Sequence, residues 1–242
     1  MPPFLSIVIP AYNEEDRLAD SLNRILAFVA SRPHPSEIVV VENGSTDRTA
    51  EVAEAFARKN SNLRVLRERA RGKGLAVRRG ILAAAGEYRF ICDVDLSMPI
   101  EQVTRFLPPL LPDAAIAIAS REAPGAARFS EPAYRHWIGR GFNVLVRLLA
   151  VPGLHDTQCG FKCFRADAAE ELFRLQVLNG WTFDVEVLFL ARRKGYPVVE
   201  VPIPWTHVPG SRVRLVRDSL AMLTDLVRIR WYAARGCYGP PR

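Results

Sequence analysis

Lysine is scarce in this chain. Of its 33 basic residues only four are Lys (59, 73, 162 and 194), so the net charge of +7 is carried by Arg. A basic surface of that kind points to anionic partners: phosphates, nucleic acid or an acidic membrane. An overall bias towards Arg and Ala gives the same balance, so charge alone selects none of them. Cysteine is scarce too, with four residues at 92, 159, 163 and 237. Their spacing fits neither paired zinc ligands nor a secreted disulfide framework, which leaves free thiols in a reducing compartment. No stretch reaches the roughly 18 uninterrupted apolar residues of a membrane-spanning helix. The start runs directly into Phe4–Pro10, without the basic region and long apolar run of a signal peptide. A soluble or peripheral protein on the cytoplasmic side is therefore expected. Helix-turn-helix, zinc and RNA-recognition signatures are lacking and the Arg residues are dispersed, which argues against a nucleic-acid polymer as partner. The G-x-x-x-x-G-K-[ST] phosphate loop is missing as well. There is no internal repeat, low-complexity run or linker.

What is present is an ordinary globular composition, 49% apolar and 24% charged, long enough for a sizeable core. The first third alternates short apolar strands with helical patterns, the mark of a parallel sheet with crossover helices. Strands are expected at Phe4–Pro10, Glu37–Val41, Leu63–Leu66 and around Phe90–Cys92. Between them, helices are expected up to about Val29, over Thr49–Lys59 and over Leu75–Ala85. Further on, the pattern predicts a helix at Pro99–Leu111, a strand at Ala114–Ala119 and a flexible loop at Arg121–Pro132. Helices follow at Ala133–Leu149, Asp167–Leu175 and Thr182–Lys194, with a mixed polar stretch at His155–Phe164 and a strand at Tyr196–Ile203.

The chemistry gathers where these strands end. Asp93-Val94-Asp95 follows an apolar run, and residues i and i+2 of a strand share a face. Two carboxylates so placed can share a divalent cation that bridges to a phosphate; taken alone, a D-x-D more often marks two solvated loop acids. Pro10-Ala11-Tyr12-Asn13-Glu14 ends the first strand, where Tyr12 can stack on a base and Glu14 can accept from a ribose hydroxyl. Glu42-Asn43-Gly-Ser-Thr-Asp47 ends the second, with Ser or Thr available to cap the next helix. Arg71-Gly-Lys73-Gly74 offers cations and backbone amides ahead of a helix, a plausible diphosphate contact.

In combination these segments resemble the family-2 glycosyltransferases of the GT-A fold. Asp156-Thr-Gln158-Cys-Gly-Phe-Lys162, Trp181-Thr-Phe-Asp184-Val-Glu186 and Trp205-Thr…Gly-Ser-Arg212 extend the likeness to the polyprenyl- (dolichyl-) phosphate branch, the β-glucosyltransferases in particular. The likeness covers roughly residues 4–232. It implies an α/β, Rossmann-like, mostly parallel sheet with helices on both faces. It implies transfer of a sugar, glucose from UDP-glucose first, onto a polyprenyl or dolichyl phosphate; GDP-mannose as donor and a soluble glycan as acceptor are the alternatives. By motif, Pro10, Ala11, Tyr12, Asn13 and Glu14 hold the nucleoside with Glu42 and Asn43, the latter at the uracil edge. Lys73, Val94 and Arg212 complete the donor site, Arg212 on a closing loop. Asp93 and Asp95 bind Mg²⁺ or Mn²⁺, and with Arg121 they form the catalytic set. Ser120, Arg121, Arg135 and Arg140 clamp the acceptor phosphate, joined by Gln158, Asp184 and Glu186; the last two line the sugar pocket or form structural ion pairs. The sequence departs from the family at Glu42 and Asn43, where two Asp are common, and at Ser97 and Gly139, where Gln and Ser occur in relatives.

The same resemblance divides the chain into a catalytic domain at 1–211, with a nucleotide-binding half (1–97) and an acceptor half (98–211), and a C-terminal segment at 212–242. That segment carries an apolar helical stripe of Val216, Leu220, Leu223 and Val227 opposite an Arg-rich face. Such a helix suits the plane of a membrane interface; it equally suits packing of the stripe on the core. An isoprenoid acceptor makes the cytoplasmic face of a membrane the expected location.

Overall fold

The computed structural model of the chain describes residues 2–112, 114–130, 132–208 and 215–240, with backbone alone at 133–138 and 215–220. Its elements in order are β1 (Leu5–Ala11), α1 (Leu18–Ala30), β2 (Ser36–Glu42), α2 (Thr49–Ala57), β3 (Leu63–Arg67), α3 (Lys73–Ala83) and β4 (Tyr88–Ile91). A 3-10 segment (Ile100–Phe106), β5 (Ile116–Ser120), β6 (Ala127–Phe129) and α4 (Ala133–Leu149) follow. The chain then runs through β7 (Lys162–Arg165), α5 (Ala166–Leu175), α6 (Phe183–Arg193), β8 (Val198–Pro202), β9 (Pro204–Thr206) and α7 (Leu215–Ala234).

Seven strands form one sheet in the order β3-β2-β1-β4-β7-β5-β8. All neighbours are parallel except β7, which runs antiparallel between β4 and β5. Both faces are covered, which is why the strands read as continuous apolar runs. Ile7, Ile9, Ile38, Val40 and Phe90 face α1 and the 3-10 segment, whereas Val8, Val39, Val41 and Ile91 face α3 and α5. The mostly parallel α/β sheet expected from the alternation is what the chain forms.

Four local expectations change. Pro99–Leu111 is not an α-helix: a 3-10 segment ends at Phe106 and Leu107 is extended, because Pro108 and Pro109 supply no N–H and disfavour helix before them. The loop Arg121–Pro132 contains β6, which pairs in parallel with β9 to make a small second sheet. The strand Tyr196–Ile203 divides at Ile203 into β8 and β9. The polar stretch His155–Phe164 runs into β7, at the centre of the sheet.

The C-terminal helix α7 packs on the core through Met222, Leu226 and Ile229, while Val227 is exposed. The buried stripe is thus rotated from the expected Leu223–Val227 line; Val216 and Leu220 lie outside the described side chains. Beyond the helix, Tyr238 is fully buried. Among the described residues no helix is long and apolar enough to cross a membrane.

Candidate active site

Strand β1 lies between β2 and β4, so the chain order reverses there. Open α/β sheets bind ligands at the carboxyl ends of strands beside such a reversal. The loops after β1, β2 and β4 and the turn before α3 meet at this edge.

The first two loops are tied into one floor. Asn13, in the left-handed region at φ 54°, donates its N–H to Ser45 Oγ at 3.1 Å and accepts from the Thr46 N–H at 2.8 Å. Such a conformation suits Asn. Glu14 donates its N–H to Thr49 Oγ1 at 2.7 Å, and its buried carboxylate takes both Nε and Nη2 of Arg17. Glu42 accepts from the Ser45 N–H at 2.5 Å. Neither Ser45 nor Thr46 caps α2: Arg48 stands at the N-cap, and Asp47 before it accepts from the Thr49 N–H at 3.0 Å. Pro10 and Ala11 close β1 beneath this floor, Ala11 accepting from the Asn43 N–H at 2.9 Å. The Tyr12 ring lies 5.1 Å from the Arg71 guanidinium.

Asn43 spends its amide on the third loop, donating to Ala70 O at 2.6 Å and accepting from the Gly72 N–H at 2.9 Å. The Gly74 N–H donates to Gly180 O at 3.3 Å. The amides of Gly72 and Gly74, expected to face a diphosphate, are therefore engaged within the protein. What this loop delivers is Lys73. Its Nζ lies 2.7 Å from Asp93 Oδ1 and 5.4 Å from the Trp181 ring. Burial alone would depress the Lys73 ammonium, but Asp93, Asp184 and Asp95 outweigh it and raise its pKa.

Asp93 and Asp95 follow β4, with Val94 buried between them. Asp95 accepts from the Ser97 N–H at 3.0 Å, and the Ser97 carbonyl accepts from Thr206 N–H at 2.8 Å, which joins this loop to β9. Arg17 belongs here too: the Glu14 hydrogen bond, and then the charges of Glu14, Asp95 and Asp93, raise its pKa against the effect of burial. Gly160 packs directly on Asp93, since a Cβ there would sit 2.1 Å from Asp93 Oδ2. Two hard carboxylates suit Mg²⁺ or Mn²⁺. Among the described residues no group of three His, Cys, Asp or Glu forms a cage of its own.

A second charged cluster, where acceptor contacts were expected, begins at the end of β5. The Arg121 N–H donates to Asp156 Oδ2 at 2.9 Å, with Nε to the same oxygen at 2.7 Å and Nη2 to Oδ1 at 2.9 Å. The Trp205 ring lies 5.3 Å from the guanidinium. Burial pushes the Asp156 carboxyl up, but Arg121 wins and holds it down at about 2. Ser120 is buried and accepts from the N–H groups of Glu122 and Ala123. Glu122 pairs with Arg128 and, at 3.5 Å, with Arg140.

Lys162 on β7 stands between the two charged clusters. Its Cα is in register with Ile91 of β4 and Ile118 of β5. Its buried Nζ lies 2.8 Å from Asp184 Oδ1, and its charge reaches Asp156. Asp184 also lies within Coulombic reach of Lys73 and Asp93, although burial keeps its pKa raised. Opposite charges thus alternate from Asp93 through Lys73, Asp184, Lys162 and Asp156 to Arg121.

Two expected acceptor residues make their contacts within the protein. Glu186 is fully buried and accepts from Val177 N–H, Leu178 N–H and Tyr238 Oη, at 3.0, 2.8 and 2.6 Å. Gln158 meets α7 through Met222 Sδ at 3.9 Å. Arg212 falls outside the described residues, as does the Arg135 side chain. Sequence reasoning passed over Arg17, Asp156 and Gly160 as site residues. The latter two stand inside a motif already singled out, and only the fold shows what they touch.

The family model described as "Glycosyl transferase family 2" matches residues 6–173. Curated relatives include the dolichyl-phosphate beta-glucosyltransferases of Drosophila melanogaster (38% identical) and Homo sapiens (35%). Each alignment covers 93% of this chain and 74% of the relative. The same enzyme of Saccharomyces cerevisiae is 34% identical over 97% of this chain and 76% of its own length. Among solved structures, glucosyl-3-phosphoglycerate synthase from Mycobacterium tuberculosis, in complex with Mn²⁺, UDP and phosphoglyceric acid, superposes with a TM-score of 0.65. That match has 19% identity and covers 99% of this chain and 80% of the other, a likeness of fold.

Proposed function

The chain belongs to glycosyl transferase family 2, and from that membership we propose that it transfers glucose from UDP-glucose to dolichyl phosphate with inversion, using a divalent metal. What carries the reading is the Asp93/Asp95 pair beside the β1/β4 reversal, with Lys73 Nζ 2.7 Å from Asp93. The relatives' names support glucose and dolichyl phosphate, and the fold neighbours that carry UDP-glucose and Mn²⁺ support the donor and the ion.

Asp93 and Asp95 would hold the ion, which when bound stabilises the charge developing on the leaving nucleoside diphosphate. Lys73 adds a positive charge beside the same carboxylates, available to a diphosphate oxygen. Tyr12 and the 42–47 loop border the nucleoside. The acceptor needs no dedicated base: a phosphate monoester has a second pKa near ~6 and is mostly dianionic at neutral pH. The work of the acceptor half is to bring one anion towards another. Asp156 fixes the Arg121 fork in orientation, and Arg128 and Arg140 add charge around Glu122. A phosphate oxygen forms the new bond to the anomeric carbon on the face opposite the diphosphate, whose bond to that carbon breaks. An α-linked donor thus gives a β-linked product. Since dolichyl phosphate stays in its bilayer, the chain works at a membrane surface, on its cytoplasmic face.

The test supplies dolichyl phosphate with either UDP-glucose or GDP-mannose, in Mg²⁺, Mn²⁺ or chelator. Glucosyl lipid and free UDP are expected with the first donor and a metal, with a β linkage by NMR. Mannosyl lipid would overturn the donor, and undiminished transfer in chelator would overturn the metal. Asp95→Asn is expected to lower kcat about a thousandfold, the several kcal/mol a bound metal supplies, with an unchanged thermal melt. Unaltered turnover at saturating Mn²⁺ removes Asp95 from the metal set.

A further inference from the structure

Helix α4 exposes an apolar face that its packing leaves bare. Its inner side is accounted for by Phe142 and Val146, both buried. The adjoining side presents Leu148, 76% exposed, with Val144 at 51%, Leu149 at 43% and Leu145 at 39%. At about 100° per residue these four span one continuous strip. Arg140 and Arg147, both exposed, lie along one edge of it, and the 17 residues of α4 contain no Asp or Glu. An apolar strip flanked on its own helix by cations and no acids is the pattern of a helix lying in the plane of an anionic membrane surface. Soluble surfaces seldom carry four large apolar side chains together without an occupant.

The position of the strip matches that use. Arg140, one turn from Val144, lies 3.5 Å from Glu122, the residue after Arg121. The apolar end of α4 thus continues directly from the proposed acceptor-phosphate site. Helix α7 packs beside α4 and also exposes Val227 and Trp231, with exposed Arg228, Arg230 and Arg235.

We infer that the C-terminal turns of α4, centred on Leu148, dock the protein on an anionic phospholipid bilayer and hold the Arg121 site against it. The choice of a bilayer over a second copy of this chain rests on the lipid-acceptor reading, together with the one-sided positive charge.

The experiment sediments the intact protein with vesicles of phosphatidylcholine, with and without phosphatidylglycerol. Binding is expected to the anionic vesicles, to weaken as salt is raised, and to fall about tenfold in Val144→Glu/Leu148→Glu. Both positions are exposed, so the variant should melt like the parent. It should also glucosylate a short-chain, water-soluble isoprenyl phosphate at the parental rate. A parent that binds neither vesicle overturns the inference. So does a dimer in solution that the double substitution splits, since the strip is then an interface between copies. Vesicle binding without transfer to either acceptor would instead defeat the enzymatic reading and leave the docking surface intact.

Discussion

Asp156 shows how a single residue sets the electrostatics around Arg121. It is fully buried, and a buried carboxylate would ordinarily take up a proton. Three donors from Arg121 reverse this, and its pKa falls from 3.8 to about 2. The unfolded chain then binds the proton more tightly than the folded one. The stabilisation is complete above about pH 4 and is lost as pH falls through the folded value near 2. The difference corresponds to about 2 kcal/mol. Asp156→Asn is expected to be less stable at neutral pH and to show a shallower decline between about pH 4 and pH 2, read from urea midpoints across pH. A variant with the parental acid slope would mean that Arg121 does not hold this carboxylate. Asp156 was visible at the head of a motif, but a carboxylate's worth depends on its partner, and Arg121 lies 35 residues away along the chain.

At the scale of elements, the first four strands were readable because each is an apolar run with turn residues after it. Parallel strands buried on both faces have that signature, and their carboxyl ends fix where the loops go. Strand β7 was not readable. Lys162-Cys-Phe-Arg165 is four residues long, begins with a cation and follows a polar stretch. It is a strand because β4 and β5 each offer it an open edge, and no local pattern encodes that. The Lys at its start is tolerated in the sheet's centre because Asp184 and the Cys159 carbonyl, at 2.8 and 2.5 Å, satisfy its ammonium. Removing one member of a buried pair costs more than the pair contributes, about 3–5 kcal/mol. Lys162→Met is expected to lower stability by about that amount in guanidinium titration, and Lys162→Met/Asp184→Leu to recover most of it. A loss near zero in the single variant would show that Asp184 is solvated or neutral in the fold. The 3-10 segment and the β6/β9 pair were missed for related reasons: two prolines cut short a helical pattern, and β6 is organised only by β9, 75 residues further on (129 to 204).

Across the whole molecule the C-terminal segment does more than lie on a surface. Its sequence offered membrane contact or core packing as alternatives. Met222, Leu226 and Ile229 commit one face of α7 to the core, and Tyr238 closes the segment in full burial. The Tyr238 hydroxyl donates to Glu186 at 2.6 Å, and Glu186 in turn accepts from the Val177 and Leu178 N–H groups. Gln176 Nε2 donates to the Leu178 and Gly74 carbonyls, next to Lys73 and hence to Asp93. The tail and the Lys73/Asp93 pair are ends of one hydrogen-bonded path, and Glu186 is a brace within it. A hydrogen bond to a charged group is worth about 1.5–3 kcal/mol. In a domain of this size that corresponds to a Tm lower by about 5–10 °C, the change expected for Tyr238→Phe by calorimetry. Amide exchange should quicken at Val177 and Leu178 in the same variant, because their acceptor loses its anchor. If the melt falls but those amides stay protected, Tyr238 supports α7 alone and the path ends at Glu186.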